Sequence, residues 1–261
     1  ILDSTTIESI PGYKIDSIPV GEHALAGALR FMTRSSLPDT GQGRDVLKRY
    51  FEAALKTTLV TQNLLQQNDF DCVVAHHGIY VPQGLIVQTA RANRVRVVAW
   101  NVAYRAKTFV FSHGDSYHHT MIDEPVSEWQ QLEWDQQKEE KLNYYLQSRL
   151  KGTGDWITFQ DEDNEMNSDS QFNQWLGGRN EKCVLLLTSV LWDAQVHSQQ
   201  NAFTHIVEWV LFTINYFRKR PDLKLVIRIH PAEVRNKLPS KQQMVDEINS
   251  AYPNLPKNIM L

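Results

Sequence analysis

Apolar residues recur at three- and four-residue spacing in two early segments, 22–33 (EHALAGALRFMT) and 45–66 (DVLKRYFEAALKTTLVTQNLLQ). That spacing puts them on one side of a 3.6-residue turn and predicts two amphipathic helices. Between them, SSLPDTGQG (35–43) reads as a loop by its Pro and Gly content. The pattern then changes. Residues 70–75 (FDCVVA) form a short apolar run that meets His76, His77 and Gly78, as a strand meets a turn. PQGLIVQTARANR (82–94) predicts a helix with Pro82 near its first turn, where a missing N–H costs little. VRVVAWN (95–101) predicts a strand rich in β-branched residues. Strand, helix and strand with short connections form a βαβ unit, hence a parallel sheet with a right-handed crossover.

TFVFSHG (108–114) is readable as a further strand, and 127–152 as one long helix ended by Gly152. From Thr153 to Asn180 the chain turns polar, which predicts a connector or domain boundary with little core. The pattern then restarts with an apolar strand at 182–190 (KCVLLLTSV), a helix at 201–220 closed by Pro221, and a strand at 224–231 (KLVIRIHP). A helix at 240–252 and a third strand at NIML follow. These elements predict an α/β chain of Rossmann-like character: an amino-terminal domain over 1–152, a connector over 153–180, and the first part of a second domain over 181–261. The chain opens on Ile1 and ends on a strand-like run, which predicts a piece of a longer polypeptide.

Composition narrows the classes. A chain of 261 residues, 42% apolar and 10% aromatic, can bury a real core. Its 27 basic and 30 acidic residues are dispersed, with no basic block to attract nucleic acid. Cys72 and Cys183 both lie in apolar runs, which fits reduced thiols better than a disulfide framework or a zinc site. No window approaches the roughly 20 apolar residues of a membrane span, and the first ten residues lack a signal-peptide pattern. A cytoplasmic compartment is expected.

Candidate chemistry gathers at the ends of the predicted strands, where open α/β sheets bind their ligands. In the first half these are His76 and His77, Asn101 with Tyr104 and Arg105, and His113, Asp115, His118 and His119. In the second half they are Thr188, Ser189 and Asp193, then Arg228, His230 and Glu233. If all these ends face one cleft, His, Arg, Ser and Thr donors suit a phosphate-bearing ligand. A histidine or Asp115 suits a general base toward a hydroxyl. His76 and His77 point to opposite faces while the chain is extended, so only one of them would face a cleft. The dense HGDSYHH run invites a metal reading, but it lacks the i, i+4 His pair with a Glu base on a helix, and no metal is expected. Trp209, Phe212 and Tyr216 read as core, and Trp192 as the tryptophan able to touch a ligand. Walker, dinucleotide and G-x-S-x-G patterns do not occur.

Two stretches carry a family resemblance. VLLLTSVLWDAQVHSQQNAF followed by RPDLKLVIRIHPAE resembles the start of the second domain of bacterial capsule and surface polysaccharide glycosyltransferases with a GT-B fold. The run from His76 to Thr120 is similar to the acceptor-side domain of that group. The resemblance implies two Rossmann-like parallel-sheet domains facing a cleft, the second one truncated here. It implies a nucleotide-sugar donor, CMP- or UDP-linked, and a glycan or lipid-linked glycan acceptor. It also implies that the R-x-HP element, Arg228, His230 and Pro231, lies beside the donor phosphate as in Kdo and sialic acid transferases. Ser189, Asp193 and Glu233 would share that donor site, and His76, His77, His113 and Asp115 would supply the acceptor-side base. Peripheral association with the inner face of the membrane is compatible with such an acceptor. Two other readings stand beside this one: a polyol-phosphate transferase or nucleotide-sugar epimerase of the same architecture, and a non-catalytic glycan-binding or scaffold domain.

Overall fold

A computed structural model describes residues 6–120, 125–157, 169–178, 182–193, 201–235 and 239–261. The chain is α/β and divides into two compact units, Ile1–Gly27 with Asp45–Gln160, and Ala28–Arg44 with Asp161–Leu261. The change of unit at Gln160 falls inside the expected connector, part of which lies outside the described residues. That residues 28–44 join the second unit was not expected from the sequence.

In the first unit, helices α1 (Val20–Met32, whose last residues belong to the second unit) and α2 (Gly41–Gln67) precede strand β1 (Cys72–His76). Helix α3 (Gln83–Ala92) and strands β2 (Arg96–Val102) and β3 (Phe109–His113) follow. β1 and β2 pair in parallel, as the βαβ pattern predicts, with Val73 opposite Val97 and Ala75 opposite Ala99. Those residues face α3, where Ala75, Val87, Ala90 and Val97 form a small buried cluster. Small side chains let the helix approach the sheet closely.

β3 departs from the expectation. It pairs with β2 antiparallel, so His113 lies opposite Val98 while His76 lies opposite Trp100. Six residues join β2 to β3, and Ala103 N donates to Thr108 O at 3.0 Å within that hairpin. A parallel crossover needs a dozen or more residues, so this connection admits only the antiparallel pairing. The carboxyl end of β3 therefore points away from those of β1 and β2.

Helix α4 (Tyr117–Thr120) packs on β3. The long helix expected over 127–152 is two helices, α5 (Val126–Gln130) and α6 (Gln136–Leu150). The break is made at Asp135, whose carboxylate accepts from Lys138 N at 2.8 Å and so starts α6 as an N-cap.

In the second unit, α7 (Asp169–Leu176) stands within the stretch expected as connector. Strand β4 (Cys183–Leu187), helix α8 (Ile206–Arg218), strand β5 (Lys224–Arg228), helices α9 (Ala232–Arg235) and α10 (Met244–Ala251), and strand β6 (Ile259–Met260) complete it. The sheet is all parallel, ordered β4-β5-β6. Leu186 pairs with Ile227 and Val184 with Leu225, so alternate residues share one face. Helix α8 packs on β5, β6 and α10. Val210, Ile214, Leu225, Met244 and Ile248 are fully buried there, each worth roughly 1.5–3 kcal/mol of apolar transfer. The opposite face is open at its β4 side, with Leu185 and Leu187 exposed.

Candidate functional site

The carboxyl end of the second unit's parallel sheet holds a cross-strand joint. Beyond the last ladder pair, Leu187 with Arg228, Thr188 N donates to Arg228 O at 3.0 Å, and His230 N donates back to Thr188 Oγ1 at 3.0 Å. Pro231 has no N–H to extend the ladder, and the chain leaves the sheet there into α9. His230 Nδ1 then accepts from Ala232 N at 3.1 Å, which puts the proton of the neutral ring on Nε2. Burial lowers the His230 pKa, and the Asp193 carboxylate draws it partly back up. The contact at Nδ1 suits the neutral ring, whose remaining donor is Nε2–H.

One residue after Thr188, Ser189 enters a pocket of about 390 Å³ lined also by Asn201, Ala202, Phe203, His205, Ile206 and Trp209. The pocket sits at the amino end of α8. His205 is the N-cap, its Nδ1 accepting from Glu208 N at 3.2 Å. Glu208 reaches back to Thr204 N at 2.9 Å and Thr204 Oγ1 at 2.6 Å, closing a reciprocal cap. The pocket is a concave, partly aromatic surface at a strand-to-helix turn, the region where α/β sheets take ligands.

The predicted residues of this half part company in the structure. Ser189 lines the pocket, and His230 and Arg228 stand at the neighbouring strand end, with Arg228 exposed. Asp193 is paired with Arg30, Nη1 to Oδ1 at 3.3 Å. Glu233 turns inward instead and is only 1% exposed. Its Oε2 accepts from Met244 N at 3.0 Å, so it ties α9 to the start of α10, while its Oε1 is buried without a hydrogen-bond partner. Burial raises its pKa against the opposing effect of the Met244 amide. Such a group braces the site and does not face a donor.

Trp209 packs on the core as expected, and it also lines the pocket. Trp192 has one face covered by the Arg30 guanidinium, 5.3 Å from the ring centre, and its N–H donates to Ser240 Oγ at 3.1 Å. The signal for Trp209 was available in outline, because it lies in the first turn of α8 and thus close to the strand-to-helix junction. Asn201, Phe203 and His205 carried no motif.

In the first unit the end of β1 is a tight turn in which His77 (φ 66°) and Gly78 (φ 74°) are both left-handed. A non-glycine residue in that region costs roughly 1–2 kcal/mol, and His77 is kept there by its amide, which donates to Trp100 O at 2.9 Å. The turn sends the two histidines to different surroundings. His76 is exposed and tilts on Trp100, with ring centres 4.6 Å apart. His77 is half-buried among Tyr80, Tyr117 and His118, stacked on the last at 5.7 Å.

Asp115 begins the segment that packs on His77 through Tyr117 and His118. Its carboxylate pairs with Arg91 at 2.7 Å and with His119 Nδ1 at 3.1 Å, and accepts from Ser116 N at 2.7 Å. Arg91, His119 and the Ser116 amide thus occupy its carboxylate. His113, at the far end of antiparallel β3, is exposed and also apart from His76. Among the described residues no group of three or more His, Cys, Asp or Glu side chains is arranged to hold a metal ion. Nor is any described helix long and apolar enough to cross a membrane.

In comparisons with known proteins, no family model, curated protein or solved structure matches the chain.

Proposed function

We propose that the chain is part of a glycosyltransferase that moves a sugar from a nucleotide-activated donor to a surface-polysaccharide acceptor, with two GT-B domains as its architecture. The observation that supports this best is the joint between Thr188 and His230 beside the pocket entered by Ser189. It sets an imidazole donor, hydroxyls and the start of a 13-residue helix at the carboxyl end of a parallel sheet, an arrangement suited to phosphate oxygens.

In this reading the acceptor hydroxyl attacks the anomeric carbon, the bond from that carbon to the donor phosphate oxygen breaks, and the nucleotide departs with the electron pair. His230, through its Nε2–H, and Arg228 stabilise the charge growing on that oxygen, an electrostatic role that fixed donors perform without reorganisation. His76, exposed at the end of β1, is the first-unit residue best suited to receive the hydroxyl proton, since Asp115 is already held by three donors.

Calorimetric titration with CMP, UDP, GDP and CDP tests the reading. Selective binding of one of them, weakened about tenfold or more in His230→Ala, is the expected result. Absence of binding to all four would remove the donor site and with it the transferase.

A further inference from the structure

The pocket entered by Ser189 has walls of unequal chemistry. Four of its seven lining residues, Ala202, Phe203, Ile206 and Trp209, are apolar. Phe203 is half-buried and leans on Phe212, ring centres 5.3 Å apart, while Trp209 packs on the core, so both rings are backed before a ligand arrives. Aromatic surfaces held in this way stack well on a flat heterocycle. A charged phosphate would give up its water there for little return. The joint between Thr188 and His230, one residue before Ser189, suits the phosphate better.

The polar part of the wall is more selective. Ser189 and Asn201 carry groups that both donate and accept, so neither discriminates. His205 is different. Its Nδ1 accepts from Glu208 N at 3.2 Å as the cap of α8, so that nitrogen carries no proton, and Nε2–H is what the ring offers a ligand. Glu208 closes the same cap from the other side by accepting from Thr204 N and Oγ1 at 2.9 and 2.6 Å. The ring cannot turn over to present an acceptor without giving up the Glu208 amide. A fixed donor in a pocket wall selects a ligand with an acceptor there and rejects one that sets an N–H against it, because both groups are then left unmet.

We propose that this pocket takes the base of the nucleotide donor, stacked on Phe203 and Trp209, and that His205 is its specificity residue: by donating from Nε2–H it selects a base with a ring carbonyl, uracil, cytosine or guanine, over adenine. This rests on the reading of the second unit as a nucleotide-donor site.

The test is calorimetric titration of the full chain with UDP, CDP, GDP and ADP, as wild type, His205→Ser and Phe203→Leu. Serine is a favoured N-cap, so His205→Ser keeps an acceptor for the first turn of α8 and should melt close to wild type, yet it removes Nε2–H from the wall. In wild type, ADP is expected to bind at least about tenfold more weakly than the preferred nucleotide, the scale of one unmet hydrogen bond. His205→Ser should weaken the preferred nucleotide about tenfold and leave ADP within about twofold, erasing the preference. Phe203→Leu should weaken every nucleotide that binds. ADP bound as tightly as the others, a preference that survives His205→Ser, or binding untouched by Phe203→Leu overturns the proposal and leaves the phosphate site at His230 standing. If neither variant folds, the comparison of bases in wild type decides. Wild type that binds none of the four overturns the transferase reading, and the proposal with it.

Discussion

The backbone amide of His230 donates to the hydroxyl of Thr188 at 3.0 Å, joining the chain just past the ends of two neighbouring parallel strands. Thr188 is 6% exposed, so its hydroxyl is shut from bulk water and meets the amide in a largely dry environment. Valine has the shape of threonine without the acceptor. Thr188→Val should therefore cost about 1–3 kcal/mol in urea unfolding, the penalty for an unmet buried donor. Thr188→Ser keeps the oxygen and should lose less. Equal losses in the two variants would mean that the methyl group, not the hydrogen bond, carries the stability.

Glu233 gives a dependence on pH whose sign follows from its surroundings. Burial raises its folded-state pKa above the ordinary 4.5, so the folded protein binds the proton more tightly than the unfolded chain. Its contribution is fully present below the unfolded value and is lost as pH rises through the folded one. Glu233→Gln keeps an oxygen for Met244 N but cannot ionise. We expect the variant to be more stable than wild type at pH 7, with the gap closing toward pH 4, by thermal melting against pH. A gap independent of pH would show that the carboxyl is not titrating in that interval.

His230 acts in the opposite direction. Burial depresses its folded-state pKa below the ordinary 6.5, and the neutral ring is the form that meets Ala232 N. Stability from this group is full above the unfolded value and is lost as pH falls through the folded one. Replacement by Asn or Gln should flatten the acid side of the stability profile below about pH 6.5. An acid limb unchanged in both variants would assign that loss to other groups.

Much of the fold could be read from periodicity because local patterns and local contacts coincide. Val73, Ala75, Val97 and Ala99 alternate inward on β1 and β2, and the strand–helix–strand spacing fixes their parallel pairing. The direction of β3 was also legible, in the six-residue link after Val102, but the His-Gly likeness of its end to that of β1 pointed the other way. Asp135 could have been recognised as a cap; the apolar spacing that continues across it hid the break. Of the candidate site, the strand-end position of His230 and Ser189 followed from Pro231 and the apolar run before Thr188. The partnership of Arg30 with Asp193 did not, since 163 positions separate them and nothing local marks an arginine as one half of a distant pair. Glu233 looked available beside a histidine, yet the one-turn helix it begins rotates its side chain into the core.

Two of the four acceptor-side residues named from the sequence, Asp115 and His76, should separate under substitution. Asp115 is bound by Arg91, His119 and the Ser116 amide, and its side chain is 17% exposed. Asp115→Asn retains one acceptor but leaves Arg91 and His119 facing a neutral group, which should lower stability by about 1–3 kcal/mol. His76 is exposed, and its removal takes away ring contacts with Trp100 and His77. His76→Ala should then melt within a few degrees of wild type, yet slow sugar transfer by about 10²–10⁴-fold, the usual scale for a lost general base. Transfer and melting measured on both variants give a crossed pattern if His76 receives the proton. Transfer lost in Asp115→Asn at unchanged melting temperature would instead return the base to Asp115, and the three donors around it would then have to release it when the acceptor binds.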